Sequence, residues 1–306
     1  MSSHNISPLF RLVIKKGKCL VHLGGSEPLS RFYCVHSIGG EVTSFFSLTR
    51  LLGMKISCYG IQVPNDNLTR EFAASVPAMA AYYVDVLTTF QPQGAFMLGG
   101  WSAGAVIALE MAQQLRLRGR EVSLLVVLDG PLYNTAADTK LWNPTYYWKL
   151  LCNMPRWVAD DLISEWNPRL LSRRLFRRLG SAGRSMIAAF TNAMPVPLVE
   201  GPGTAGWSGE QISFARALYV AVQKYVPQPY DGPVVVYVAR TRPLFPLVEI
   251  KPGWRRITPH AEFVDARGTH ASMLNPPRVG DIADNLRERL EDCATTQLCF
   301  QTRQPA

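Results

Sequence analysis

The sequence predicts an α/β fold, with a mostly parallel central sheet, helices on both faces and a helical insertion near the middle of the chain. Three observations carry this. Short apolar runs alternate with amphipathic helical runs up to residue 128, and again from 233 to 291. Residues 122–128 (VSLLVVL) are almost continuously apolar, as in a parallel strand buried on both faces. Between about 133 and 226 the alternation stops, and helical patterns rich in tryptophan, arginine and proline follow one another instead.

In chain order, 18–23 (KCLVHL) and 32–36 (FYCVH) read as strands parted by a Gly-rich turn, and 42–52 has helical spacing of its bulky residues. A strand at 55–60 precedes a helix over 68–90, whose Pro77 is expected to kink or divide it. The strand 95–100 (AFMLGG) runs without a linker into a helix at 103–118, which Gly119 ends. After the insertion come strands at 233–239 and 262–266 and a last helix at 279–291. The expected organisation is one domain over 18–292, with 133–226 as a helical lid insertion and 293–306 as a flexible tail.

Composition narrows the function classes. The chain has 306 residues, 47% of them hydrophobic, as in an ordinary globular protein. No stretch approaches the roughly 18 uninterrupted apolar residues of a membrane span. The charges of the first 18 residues follow their short apolar run, the wrong order for a secretory signal, so a cytoplasmic location is expected. The six cysteines form no C-x-x-C pair, and Cys34 and Cys58 lie in apolar runs where a reduced thiol acts as a small hydrophobe. The net charge is +9, partly from five arginines within Arg169–Arg178. With no nucleic-acid motif beside them, these suit an acidic partner or a solvated helix face.

The most specific local signal is Gly100-Trp101-Ser102-Ala103-Gly104, a G-x-S-x-G run between a buried strand and a helix. Nucleophile elbows need that context: a sharp turn lifts the serine above the sheet, and small neighbours let strand and helix crowd together. The chain thus predicts an α/β-hydrolase fold with Ser102 as nucleophile. The base expected in that chain order is a late histidine in a loop after the last strand, which His270 fits better than His260. Asp129, at the end of strand 122–128, is the expected acid; Asp265 is second choice, and the tip of strand 233–239 offers no carboxylate. Oxyanion donors are expected from the backbone N–H of Ala103 and from the loop after 32–36, chiefly Ile38, with Ser37 second. Trp101, Trp142, Tyr146 and Trp166 are candidates for a substrate channel, although aromatic residues equally glue a small lid to a domain. No metal or diffusible cofactor is indicated.

Several stretches resemble the thioesterase domains that end non-ribosomal peptide and polyketide assembly lines, and the animal fatty-acid synthase thioesterase. They are Val35-His36-Ser37-Ile38-Gly39-Gly40, Gly99 to Gly104, Leu128-Asp129-Gly130, Tyr225 to Val235 and Gly268-Thr269-His270-Ala271-Ser272-Met273-Leu274. Two positions depart: Ser37 stands where the family often has proline, and Thr269 where it has Asp or Gly. The resemblance implies an acyl-serine intermediate, a helical lid over an acyl channel, and a substrate presented on the phosphopantetheine arm of a carrier protein. It leaves open hydrolysis, cyclisation or transfer to a hydroxyl or amine. The other readings are a carboxylesterase or lipase-like hydrolase on free esters, and a non-catalytic binding protein of the same fold.

Overall fold

The computed structural model describes residues 19–26, 30–64, 67–132, 206–241 and 250–301, together with Cys152 and Pro155. Among the described residues, seven strands form one sheet: β1 (Leu20–Gly24), β2 (Arg31–Val35), β3 (Ser57–Ile61), β4 (Phe96–Trp101), β5 (Val122–Leu128), β6 (Val234–Thr241) and β7 (Glu262–Thr269). Their spatial order is β1-β3-β2-β4-β5-β6-β7. Only β1 runs antiparallel to its neighbour; all other pairs are parallel. The helices are α1 (Phe46–Leu52), α2 (Arg70–Ala73), α3 (Val76–Phe90), α4 (Ala103–Leu117), α5 (Gly209–Lys224), α6 (Ile250–Ile257) and α7 (Val279–Gln301).

Strand alternation divides the interior into two layers, because successive side chains point to opposite faces. Leu125 and Val127 of β5 join α3, α4, α5 and α6 on one face, where Leu87, Ile107, Phe214 and Trp254 are fully buried. Val126 and Leu128 face the other way, onto Leu48 and Leu52 of α1 and Ile282, Leu286 and Leu290 of α7. Each fully buried aliphatic side chain contributes about 1.5–3 kcal/mol. Both faces are covered, which is why the central strands read as continuous apolar runs rather than alternating ones. Cys34 and Cys58 lie within the second layer, and burial pushes the Cys58 thiol up to about 12.

The helix over 68–90 is divided beside Pro77: Thr69 caps α2 by accepting from the Phe72 N–H (3.2 Å), and Ser75 caps α3 with Pro77 in its first turn. Three other elements differ from the sequence reading. Helix α6 was not anticipated, since Pro252-Gly253 reads as a breaker. Pro252 falls in its first turn, where the missing N–H costs nothing, and burial of Ile250, Trp254 and Ile257 holds it in place. Helix α7 continues to Gln301 rather than ending at 291, so the expected tail from 293 begins helical. No glycine or proline interrupts Glu291 to Gln301, and half-buried Cys293 packs on the second layer. Lastly, α5 lies inside the stretch expected as a lid, yet Phe214, Leu218 and Val222 belong to the main core. Trp142, Tyr146, Trp166 and Arg169–Arg178 lie outside the described residues. Among the described residues no helix is long and apolar enough to cross a membrane.

Candidate active site

The strand order reverses between β2 and β4, and the carboxyl ends beside such a switch are where open α/β sheets bind ligands. Ser102 follows β4 there with φ 59° and ψ −123°, left-handed backbone that costs a non-glycine residue about 1–3 kcal/mol. The turn is held by its own hydrogen bonds: Ser102 N–H donates to Leu128 O (3.1 Å) and Ala105 N–H to Ser102 O (3.1 Å). It also depends on two close approaches. A Cβ on Gly100 would stand 2.2 Å from the Gly104 carbonyl, and one on Gly104 would stand 2.4 Å from His36 O. The second contact presses the loop after β2 against the first turn of α4. Ala103 opens that helix, where N–H groups have no intrahelical acceptor and the dipole favours negative charge.

Asp129 ends β5 one position beyond the Trp101–Leu128 register pair, so its tip neighbours that of Ser102. It is the other non-glycine residue with positive φ among the described residues, at 50°. Its carboxylate is 1% exposed and its Oδ1 accepts the Ala239 N–H (2.9 Å). The tip of β6, which lacks a carboxylate, thus supplies a backbone donor instead. Trp254 of the unanticipated α6 fixes the same turn from beneath, its indole N–H donating to Gly130 O at 2.7 Å.

His270 lies in the turn after β7, anchored by buried Met273 and Leu274. Ser272 Oγ accepts the Thr269 N–H (2.9 Å), and Ser272 and Met273 N–H donate to Thr269 O (3.0 Å each). The imidazole Nδ1 is 2.8 Å from Asp129 Oδ2, and Nε2 is 2.9 Å from Ser102 Oγ. An ionised carboxylate only accepts, so Nδ1 carries the proton and Nε2 receives the Ser102 hydroxyl. Hydroxyl, imidazole and carboxylate therefore form one hydrogen-bonded row, able to withdraw the serine proton as the oxygen attacks. Asp265 instead pairs with Lys251 (2.8 Å), and His260 is exposed in a turn.

Trp101 sits beside this row. Its indole stacks on the His270 ring (centroids 5.4 Å apart, 28° between planes) and donates to His270 O at 3.2 Å. In the sequence Trp101 stands out as a channel candidate, and the 169 positions between it and His270 hide this contact.

His36 underlies the loop that carries Ile38. It is fully buried, donates from Nδ1 to Ser37 O (2.6 Å) and accepts at Nε2 from the Tyr83 hydroxyl (2.7 Å). Ser37 O also accepts the Gly40 N–H (3.0 Å), closing the turn. Burial lowers the His36 pKa to about 4, with the Ser37 carbonyl opposing in part. The unfolded chain takes up this proton near pH 6.5, so it holds more protons than the folded one between about 6.5 and 4. This contribution is complete above about pH 6.5 and is lost progressively towards pH 4, to a total of about 3 kcal/mol. Urea unfolding across that range should therefore show a slope that flattens in His36→Gln. An unchanged slope in the variant would refute the assignment.

Residues 30–148 match the thioesterase-domain family model. The chain is also 28% identical over 255 residues to a non-reducing polyketide synthase, crz7, of Cladonia metacorallifera. That match covers 80% of this chain and 11% of the synthase. A dimodular nonribosomal peptide synthase of Bacillus subtilis (strain 168) is 38% identical over 106 residues, 35% of this chain and 4% of its own. The chain thus spans a small part of these relatives' length. Among solved structures, the NocB thioesterase domain in covalent complex with a fluorophosphonate nocardicin G analog aligns with a TM-score of 0.57 at 24% identity, covering 89% of this chain and 99% of that one. The RedJ thioesterase of the prodiginine pathway in Streptomyces coelicolor gives 0.54 at 20% identity, covering 85% and 90%. At these identities the structures establish a shared fold. Part of the chain is thus similar in sequence to the thioesterase-domain family, and the chain shares an α/β-hydrolase-like fold with these structures. Among the described residues, no group of three or more His, Cys, Asp or Glu could hold a metal ion.

Proposed function

We propose that the chain is a serine thioesterase that releases an acyl, polyketide or peptidyl chain from the phosphopantetheine arm of a carrier protein. The observation that carries this reading is the 2.9 Å contact of Ser102 Oγ with His270 Nε2, made from a serine held at φ 59°. The family match of residues 30–148 and the likeness to synthase sequences favour a carrier-bound thioester over a free ester.

In this mechanism Ser102 Oγ attacks the thioester carbonyl while its proton passes to His270 Nε2. Asp129 holds the imidazole tautomer and stabilises the imidazolium, remaining ionised itself. The oxyanion is received by the N–H groups of Ala103 and Ile38, each worth about 10²–10³-fold in kcat when well aimed. The C–S bond then breaks and the sulfur leaves with the proton from Nε2. Water, a hydroxyl or an amine attacks the acyl-Ser102 carbonyl, giving its proton to Nε2, which returns it to Ser102 as the ester breaks. The carrier protein meets the basic Arg169–Arg178 segment in this reading, and Trp142, Tyr146 and Trp166 line the acyl channel.

The test is intact-mass and peptide-mass analysis after brief incubation with an acyl-pantetheine thioester and, separately, its matched oxygen ester. The expected result is an acyl adduct on Ser102 that accumulates faster from the thioester. An adduct on another residue would overturn the nucleophile, and faster acylation from the oxygen ester would make the chain a carboxylesterase.

A further inference from the structure

The loop after β2 is gripped from two sides. Its inner side rests on His36 and Tyr83. Its outer side is held by residues that enter the fold far later in the chain. Gln211, in the first turn of α5, closes a capping box: Ser208 Oγ accepts its N–H, and its own Oε1 accepts the Ser208 N–H at 2.9 Å. The same side chain has a second use, for its Nε2–H donates to Glu41 Oε1 at 2.7 Å, across 170 residues. Just before the box, the indole of half-buried Trp207 packs against Gly39. A Cβ built on Gly39 would stand 2.6 Å from Trp207 Cζ2 and 3.1 Å from Cη2. Gly40 needs glycine for its φ of 82°, whereas Gly39 has no positive φ. The indole, not the backbone, is what excludes a side chain at Gly39.

We propose that Trp207 and Gln211 are positioning residues for acyl transfer, setting the outer face of the 37–41 loop and through it the aim of the Ile38 N–H. The inference rests on the reading of Ser102 as nucleophile and Ile38 as oxyanion donor. Among the described residues, no hydrogen bond or ring contact joins either side chain to the hydrogen-bonded row, whereas both meet the loop. Oxyanion donors act only where they meet the developing charge, and a supporting shell that is loose by about 0.5 Å forfeits much of their effect. Such a loss appears in kcat rather than in KM, because the interaction is made in the transition state.

A double-mutant cycle on the full chain tests this, reading kcat and KM for an acyl-pantetheine thioester and the rate of Ser102 labelling by a fluorophosphonate. Trp207→Ala is expected to lower kcat about tenfold with KM nearly unchanged. Gly39→Ala should cost at least as much in the native background, where its methyl meets the indole. It should cost little in the Trp207→Ala background, where that partner is gone. A surface pair guards against misfolding of these variants. Gln211→Glu keeps an acceptor for the Ser208 N–H but sets a like charge against Glu41, and should lower kcat roughly threefold. Adding Glu41→Gln restores an amide-to-carboxylate bond and should recover the loss. Additive losses in the cycle, or no recovery in the paired swap, would overturn the inference. Failure of the native protein to label at Ser102 would instead overturn the nucleophile reading beneath it.

Discussion

Ser102→Ala should lower kcat for thioester cleavage by about 10⁶-fold, leaving about 10³–10⁴-fold over water from oxyanion donors and binding. The size follows from what the substitution removes. The Oγ is the atom that would bond to the acyl carbon, and with it goes the 2.9 Å contact that lets His270 take the proton. The fold should tolerate the change, because alanine fits the space and the turn keeps its backbone bonds to Leu128 and Ala105. The strained φ stays equally costly for alanine, so stability should move by less than about 1 kcal/mol. The measurement is single-turnover release of an acyl-pantetheine thioester, with urea unfolding as the control. Cleavage within tenfold of the native rate would end the serine mechanism.

Asp129→Asn should cost about 10⁴-fold in kcat while leaving the site assembled. An amide at this position fills the same volume, and its oxygen can still accept the Ala239 N–H. Its other end would then present NH₂ towards His270 Nδ1. The ring must accept that proton at Nδ1 and place its own on Nε2, where it faces Ser102 as a donor and cannot act as base. The loss is one of tautomer and of charge opposite the imidazolium, not of packing. Steady-state kinetics with intact-mass analysis of the acyl adduct would read it. A loss of less than tenfold would move the acid role elsewhere, with half-exposed Asp265 the first alternative to examine.

The fold was legible in the sequence where local physics and global packing agree. Strands covered on both faces must be apolar throughout, and 95–100 and 122–128 announced themselves in that way. The elbow was legible because close approach demands Gly100 and Gly104, a constraint the sequence displays directly. The three members of the row could be picked because each ends a strand or opens the loop after one. What escaped was tertiary. Helix α6 is held by Trp254 rather than by propensity, and its Pro252-Gly253 pair hides it. The roles of Tyr83, Trp207 and Trp254 arise from contacts between segments far apart in the chain, which leave no period to read. Trp101 was noticed for its size, and only the fold discloses its stacking on His270.

The roots of the 133–205 stretch also bear on how such proteins could be recombined. The chain departs just after the turn that holds Asp129 and re-enters where Trp207 presses on the 37–41 loop, and from there α5 contributes Phe214 and Leu218 to the interior. A graft that exchanged 133–226 whole would remove these core side chains as well. Splicing between Leu132 and Trp207 instead keeps Trp207, α5 and the turn that holds Asp129 with the parent chain.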